Sequence, residues 1–257
     1  MKFASFPKFS LLSLLAGVLA LALTGCGGTS NLNLTQGNWS VTAVSSGSVG
    51  TFYIGGNLTQ NKSTLSGTML VIGSCINPSQ TVAFTGTVSG KNITLASATS
   101  SGQVITITAS GTTPSALTGT YAVTGGCDGG DSGTVTASAV PSINATWSGP
   151  IASQGGANVT LAFAFTQAAT PSADGTFALT GNATFTNSSC SKTATLNTAF
   201  IAGPYLSVTG LTDDGGIFSY TNVLLNNPSA PTSMKGGYDV SGGNCDGDLD
   251  TPTFTKQ

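Results

Sequence analysis

The sequence predicts an all-β protein built as two tandem small eight-stranded antiparallel meander barrels, with paired β-sandwiches as the alternative architecture. Three observations carry that expectation. Val, Ile, Leu and Phe alternate with Thr, Ser and Asn over short runs, the pattern of half-buried strands. Turn residues punctuate those runs at short, regular spacing, and no stretch shows a helical period. The chain also repeats itself. Asn38-Trp39-Ser40 returns as Thr146-Trp147-Ser148, Leu58-Thr59-Gln60 as Phe165-Thr166-Gln167, and Gly119 to Gly129, holding Tyr121 and Cys127, as Gly236 to Gly247, holding Tyr238 and Cys245. Trp, Tyr and Cys recurring in one order mark a tandem duplication.

The first copy spans residues 37–140 and the second 141–257, with the joint near Pro141-Ser142. Copy one offers extended runs at Trp39 to Val44, Thr51 to Thr59, Thr64 to Ile72, Val82 to Val88, Ile93 to Ala98, Val104 to Ala109, Leu117 to Thr124 and Gly133 to Ala139. Between them lie turn signals such as Asn61-Lys62-Ser63, Ser89-Gly90-Lys91-Asn92 and Thr113-Pro114-Ser115. Copy two offers Thr146 to Ile151, Val159 to Thr166, Gly175 to Thr186, Ala194 to Ile201, Tyr205 to Leu211, Ile217 to Leu225, Met234 to Val240 and Thr251 to Thr255. Strands so rich in Thr and Val, with almost no lysine at an edge, invite pairing between neighbouring molecules; closing the sheet removes the edges. Gly37-Asn38-Trp39 resembles the Gly-x-Trp that opens the first strand of lipocalins and avidin-like barrels, which implies an eight-stranded up-and-down barrel. The likeness covers three residues, and it brings no ligand-binding residue with it.

Ahead of the barrels, Lys2 and Lys8 precede a short apolar run, Leu11 to Ala22, which has the layout of a secretory signal and is too short to span a bilayer. Leu23-Thr24-Gly25-Cys26 resembles the bacterial lipobox. That resemblance implies cleavage after residue 25, a diacylglycerol on Cys26, and a protein anchored by lipid in the bacterial cell envelope. Gly27 stands where some lipoproteins carry an aspartate resembling an inner-membrane retention mark, so the outer membrane is favoured. Residues 26–36 then read as a short polar tether.

Composition narrows the function. The chain has 7 Lys plus Arg, 9 Asp plus Glu, no His and a net charge of -2; every base is lysine and every acid aspartate. Such sparse charge excludes capture of nucleic acid, which requires a basic face against phosphates. With no imidazole and no Glu, most acid-base and zinc chemistry is removed as well.

With Cys26 assigned to lipid, four cysteines remain, and an exported chain meets an oxidising space. Repeat symmetry pairs Cys75 with Cys127 and Cys190 with Cys245. Strand parity agrees: Cys75 follows the third run and Cys127 the seventh, so a meander places both at one end. One pattern suggests an ion. Asp246, Asp248 and Asp250 alternate, and oxygen ligands at every second position suit calcium when a loop curls; a plain acidic turn is the alternative. Trp39, Trp147, Tyr121 and Tyr238 are expected as core residues of their barrels rather than as stacking platforms.

These readings converge on a non-enzymatic binding or structural module. Its membrane contact is the lipid anchor, its cofactors none apart from the calcium candidate, and its partner a small apolar ligand, a glycan or another envelope protein. The competing expectation is an Asp-based hydrolase built on Asp246, Asp248 and Asp250.

Overall fold

The computed structural model describes residues 31–73, 80–153 and 156–257. Cys26 and Cys75 lie outside the described residues.

The first copy folds as β1 (Gly37–Ser45), β2 (Thr51–Asn61), β3 (Thr64–Ile72), β4 (Thr81–Ser89), β5 (Asn92–Ser97), β6 (Val104–Thr113), β7 (Ala116–Thr124) and β8 (Ser132–Ala139). Each strand pairs antiparallel with the next and β8 closes on β1, giving a closed barrel. The second copy supplies β9 (Ala145–Ser153), β10 (Gly156–Gln167), β11 (Phe177–Thr186), β12 (Thr193–Ala202), β13 (Tyr205–Thr212), β14 (Ile217–Leu225) and β15 (Ser233–Ser241). It ends with β16 (Leu249–Asp250) and β17 (Thr253–Lys256). β14 pairs with β15, β15 with β17 and β17 with β9, so this sheet closes too. Barrels were expected over sandwiches, and barrels are what form.

The last expected run, Thr251 to Thr255, becomes a strand only after Pro252, as β17, and the two-residue β16 ends before it. Proline has no N–H to give a ladder, and here its carbonyl instead accepts the Tyr220 hydroxyl at 3.3 Å.

Alternation decides which side chains go inside. In β6 the burial pattern places Ile105, Ile107 and Ala109 inward and Thr106, Thr108 and Ser110 outward. Register then aligns the outward residues. Thr64, Thr87, Thr94, Thr108, Thr120 and Thr134 are successive cross-strand partners, a row of exposed hydroxyls running across β3 to β8. Cross-strand Thr pairs and their β-branched backbones suit such a surface.

The stretch expected as tether is in part not one. Leu34 is 3% exposed and belongs to the first barrel's core, with Leu32 packed against it. The Leu34 amide donates to Gln60 Oε1 at 2.7 Å, Leu32 N–H to the Gly90 carbonyl at 2.8 Å and Thr35 N–H to the Pro114 carbonyl at 2.8 Å. Residues 31–36 therefore close the barrel end where β1 begins. Two apolar side chains within a polar run are enough to hold it there.

The second barrel repeats the device. Ile143 is fully buried, its amide donates to Gln167 Oε1 at 3.1 Å, and Trp147 Nε1 donates to the Ile143 carbonyl at 2.9 Å. Trp39 Nε1 makes the matching bond to Thr35 O at 2.8 Å. The recurrence of Gln60 as Gln167 thus has a structural cause: each glutamine caps the segment that leads into its barrel.

Residues 31–257 form one compact unit. The loops of the second barrel at its lead-in end press on the outer face of β1, β2 and β3. Asn38, 5% exposed, receives the Gly203 N–H at 2.6 Å and donates back to the Gly203 carbonyl at 3.4 Å. Asn57 N–H donates to Gly175 O at 3.0 Å. The backbones meet so closely that a Cβ on Gly55 would stand 2.3 Å from Ala202 O, and one on Gly203, whose φ is +60°, would stand 2.4 Å from Gly55 Cα. Only glycine fits either position.

Candidate functional site

Each barrel has a lead-in end and, opposite it, a cysteine end formed by the loops after its odd strands. At the cysteine end of the first barrel, Tyr121 and Ser45 both donate to Asp131, at 2.6 and 2.5 Å. Burial acts against the Asp131 charge, but the Ser45 and Tyr121 hydroxyls and the Ser132 backbone outweigh it and hold the carboxyl below its usual range. Burial, and then the hydrogen bond to Asp131, push the Tyr121 phenol up to about 12. A phenol so raised is a poor general base or nucleophile near neutrality.

The second barrel keeps this geometry. Val240 N–H donates to Asp248 O and Gly247 N–H to Val240 O, as Val123 N–H does to Asp131 O and Gly130 N–H to Val123 O. Asp248 is therefore the counterpart of Asp131. It is 3% exposed, and it joins burial in raising the Tyr238 phenol.

The expected calcium ligands are not gathered. Asp246 Oδ1 accepts Gly242 N–H at 2.7 Å, Asp250 Oδ2 accepts Ala152 N–H at 2.7 Å, and Asp248 faces Tyr238 in the interior. The alternation would line up one face only in a regular strand; here Asp246 and Gly247 form a turn after the short 3-10 helix at Gly243–Cys245 and β16 begins only at Leu249, so the three carboxylates go to different partners. Among the described residues no group of three acidic or cysteine side chains is placed to hold a metal ion.

Asp213-Asp214-Gly215-Gly216 has the residues of a plain hairpin turn, but it does more. Asp214 accepts from Thr212 Oγ1 at 2.6 Å, Asn244 N–H at 2.7 Å and Ser191 Oγ at 2.7 Å, tying three loops together. These donors hold its carboxyl far below the ordinary range. Sequence reasoning missed it because its donors arrive from distant turns. Beside it the Cys190–Cys245 disulfide forms, its Cα atoms 5.7 Å apart. Cys127 is also disulfide-bonded, whereas its expected partner Cys75 lies outside the described residues, as does Cys26.

Among the described residues the interiors are filled. Trp39, Trp147, Tyr121 and Tyr238 are each at most 3% exposed, so they are core residues as expected. In the first barrel the space among Trp39, Met69, Leu95 and Ile107 amounts to about 10 Å³ and is wholly apolar. That is near the size of a single water and leaves no room for a ligand. The second barrel packs Phe163 against Phe165, Phe218, Tyr220 and Phe254, with ring centroids 5.2 to 5.9 Å apart. Its space below the disulfide is also about 10 Å³.

Larger recesses lie outside. A groove of about 400 Å³ on the first barrel is lined by Lys91, Asn92, Ser110, Thr112 and Thr118, where β6 departs from regular pairing between Ser110 and Thr113. A cleft of about 290 Å³ at the joint is lined by Gln36, Asn38, Asn144 and Gln167, whose amides already serve the lead-in segments and the contact between barrels.

No protein-family model matches this chain, and no curated protein matches it.

Proposed function

We propose that this chain is a lipid-anchored protein of the bacterial cell envelope, and that its two barrels act as a rigid, non-enzymatic body that meets its partners through outer surfaces and loops. One observation carries the reading: among the described residues both barrel interiors are packed, with spaces of only about 10 Å³. A binder of small apolar molecules in the lipocalin manner needs a cavity of several hundred Å³. Recognition is therefore assigned to the outside, where exposed Thr and Ser side chains offer hydroxyls to a glycan or to another envelope protein. The hydroxyl-bound carboxylates at the cysteine ends support a structural role for the aspartates, since their lone pairs are engaged by the protein itself.

The anchor rests on Leu23-Thr24-Gly25-Cys26. The test is expression in a bacterial host fed an alkyne-bearing palmitate analogue, followed by membrane fractionation. The wild-type chain should label and sediment with membranes, and Cys26→Ala should do neither. Equal membrane recovery of the two would overturn the reading. Crosslinking the wild-type chain in intact cells then identifies what its outer faces touch.

A further inference from the structure

Charge in the first barrel is split between its two ends. Its lysines, Lys62 and Lys91, sit in the β2–β3 and β4–β5 turns, and its aspartates, Asp128 and Asp131, in the β7–β8 loop. In an antiparallel meander these are opposite ends, separated by strands of 8 or 9 residues such as β8 and β7. At about 3.3 Å per residue and with barrel tilt, that is roughly 20 Å. This exceeds the Debye length of about 8 Å at physiological salt, so the acids do not cancel the lysines locally.

The lysine end is also the end from which the chain leads back toward Cys26. Asn31 Oδ1 accepts Gly90 N–H at 2.8 Å and Leu32 N–H donates to Gly90 O at 2.8 Å, immediately beside Lys91. Gln60 Nε2 donates both to Leu32 O at 2.9 Å and to Lys62 O at 2.7 Å. The groove of about 400 Å³ opens at this end, with Lys91 on its rim and Asn92, Ser110, Thr112 and Thr118 along it. Beside the apolar Ala116 and Leu117, its lining carries one positive charge, several hydroxyls, an amide and no acid, polar groups that suit the phosphate of a lipid headgroup next to apolar surface.

We propose that this end of the first barrel is a docking face for an anionic bilayer, and that the Lys91 groove receives a phosphate-bearing lipid headgroup. The proposal rests on the lipid-anchor reading, since Cys26 precedes Asn31 by only five residues (31 − 26) and holds this end within about 18 Å of the bilayer. The anchor supplies proximity. The lysines and the groove supply orientation, setting the acidic cysteine end of the first barrel away from the negative surface.

Lysine reactivity tests this on the full chain, because Lys192, at the cysteine end of the second barrel, is an internal reference. The lipidated protein is reconstituted on vesicles of phosphatidylglycerol and phosphatidylcholine (1:1) or of phosphatidylcholine alone. It is then treated with a membrane-impermeant amine acylating reagent and read by peptide mass spectrometry. Lys62 and Lys91 should react about fivefold more slowly on the anionic vesicles, in line with the usual attraction of one lysine to such a surface. Lys192 should be unchanged, and 0.5 M salt should abolish the difference. Lys62→Gln should leave partial protection at Lys91. Equal rates on the two vesicle types overturn the docking face while leaving the anchor standing. Failure of the wild-type chain to stay with membranes overturns the anchor and this proposal together.

Discussion

Asp214 gathers hydroxyls and amides from three loops, and Asp131 takes Ser45 and Tyr121, so in both cases the folded protein favours the charged carboxylate. The sign of the pH dependence follows. A carboxyl whose value is lowered on folding stabilises the fold above its unfolded value, near pH 4, and that contribution disappears as pH falls through the lowered folded value. Tyr121 works at the other extreme. Its value is raised to about 12, so the neutral phenol stabilises the fold below about pH 10, and this is lost as pH climbs from 10 to 12. The thermal midpoint should therefore be level from about pH 5 to 9, falling below about pH 4 and above about pH 10. Calorimetry across pH checks this. Asp214→Asn should cost about 1–3 kcal/mol at neutral pH and flatten the acid limb. An unaltered acid limb would show that Asp214 does not contribute to it.

Elements add a second layer. The two lead-in segments end their barrels by the same means, an apolar residue inserted into the barrel end and a glutamine receiving its amide. Leu34→Ala should cost about 2–4 kcal/mol through the cavity it leaves, and Gln60→Ala or Gln167→Ala about 1–2 kcal/mol through the orphaned amide. Urea denaturation measures both, and Leu34→Ala having no effect would return residues 31–36 to the status of a loose tether. The Cys190–Cys245 bridge closes a loop of 55 residues, for which the chain-entropy relation gives about 4 kcal/mol. The double Cys190→Ser, Cys245→Ser variant should lose stability on that order, read as a lower denaturant midpoint with a steeper slope, since the uncrosslinked denatured chain exposes more surface.

At the scale of the whole molecule, the barrels meet backbone to backbone. Gly55 and Gly203 approach too closely for any side chain, and Asn38 holds the Gly203 peptide on both sides. This contact makes the pair one body rather than two modules on a string. Gly55→Ala should cost about 2–3 kcal/mol by overpacking and should uncouple the barrels, so that one unfolding transition becomes two. Scanning calorimetry decides the point, and a single unshifted transition in the variant would show the contact to be dispensable.

Strand count, barrel closure and the position of the buried tryptophans were legible in the sequence, because side-chain alternation and turn chemistry are local and the duplication let each copy check the other. So was the second disulfide, since strand parity is a property of chain order alone. Convergence was not legible. Asp246, Asp248 and Asp250 alternate along the chain yet go to Gly242, the interior and Ala152, because a turn at Asp246-Gly247 breaks the period of two that would have kept them on one face. The ties of Asp214, which stands in an Asp-Gly turn, and of Asn38, part of the repeated Trp motif, were not legible either, because their partners at Ser191, Asn244 and Gly203 are remote in sequence. By itself the sequence determined what forms locally: strands, turns, their alternation and the repeat. Only the tertiary structure decided that the barrels are full, that residues 31–36 seal one of them, and that the two lock together. Each of those depends on volumes and distances between residues far apart in the chain.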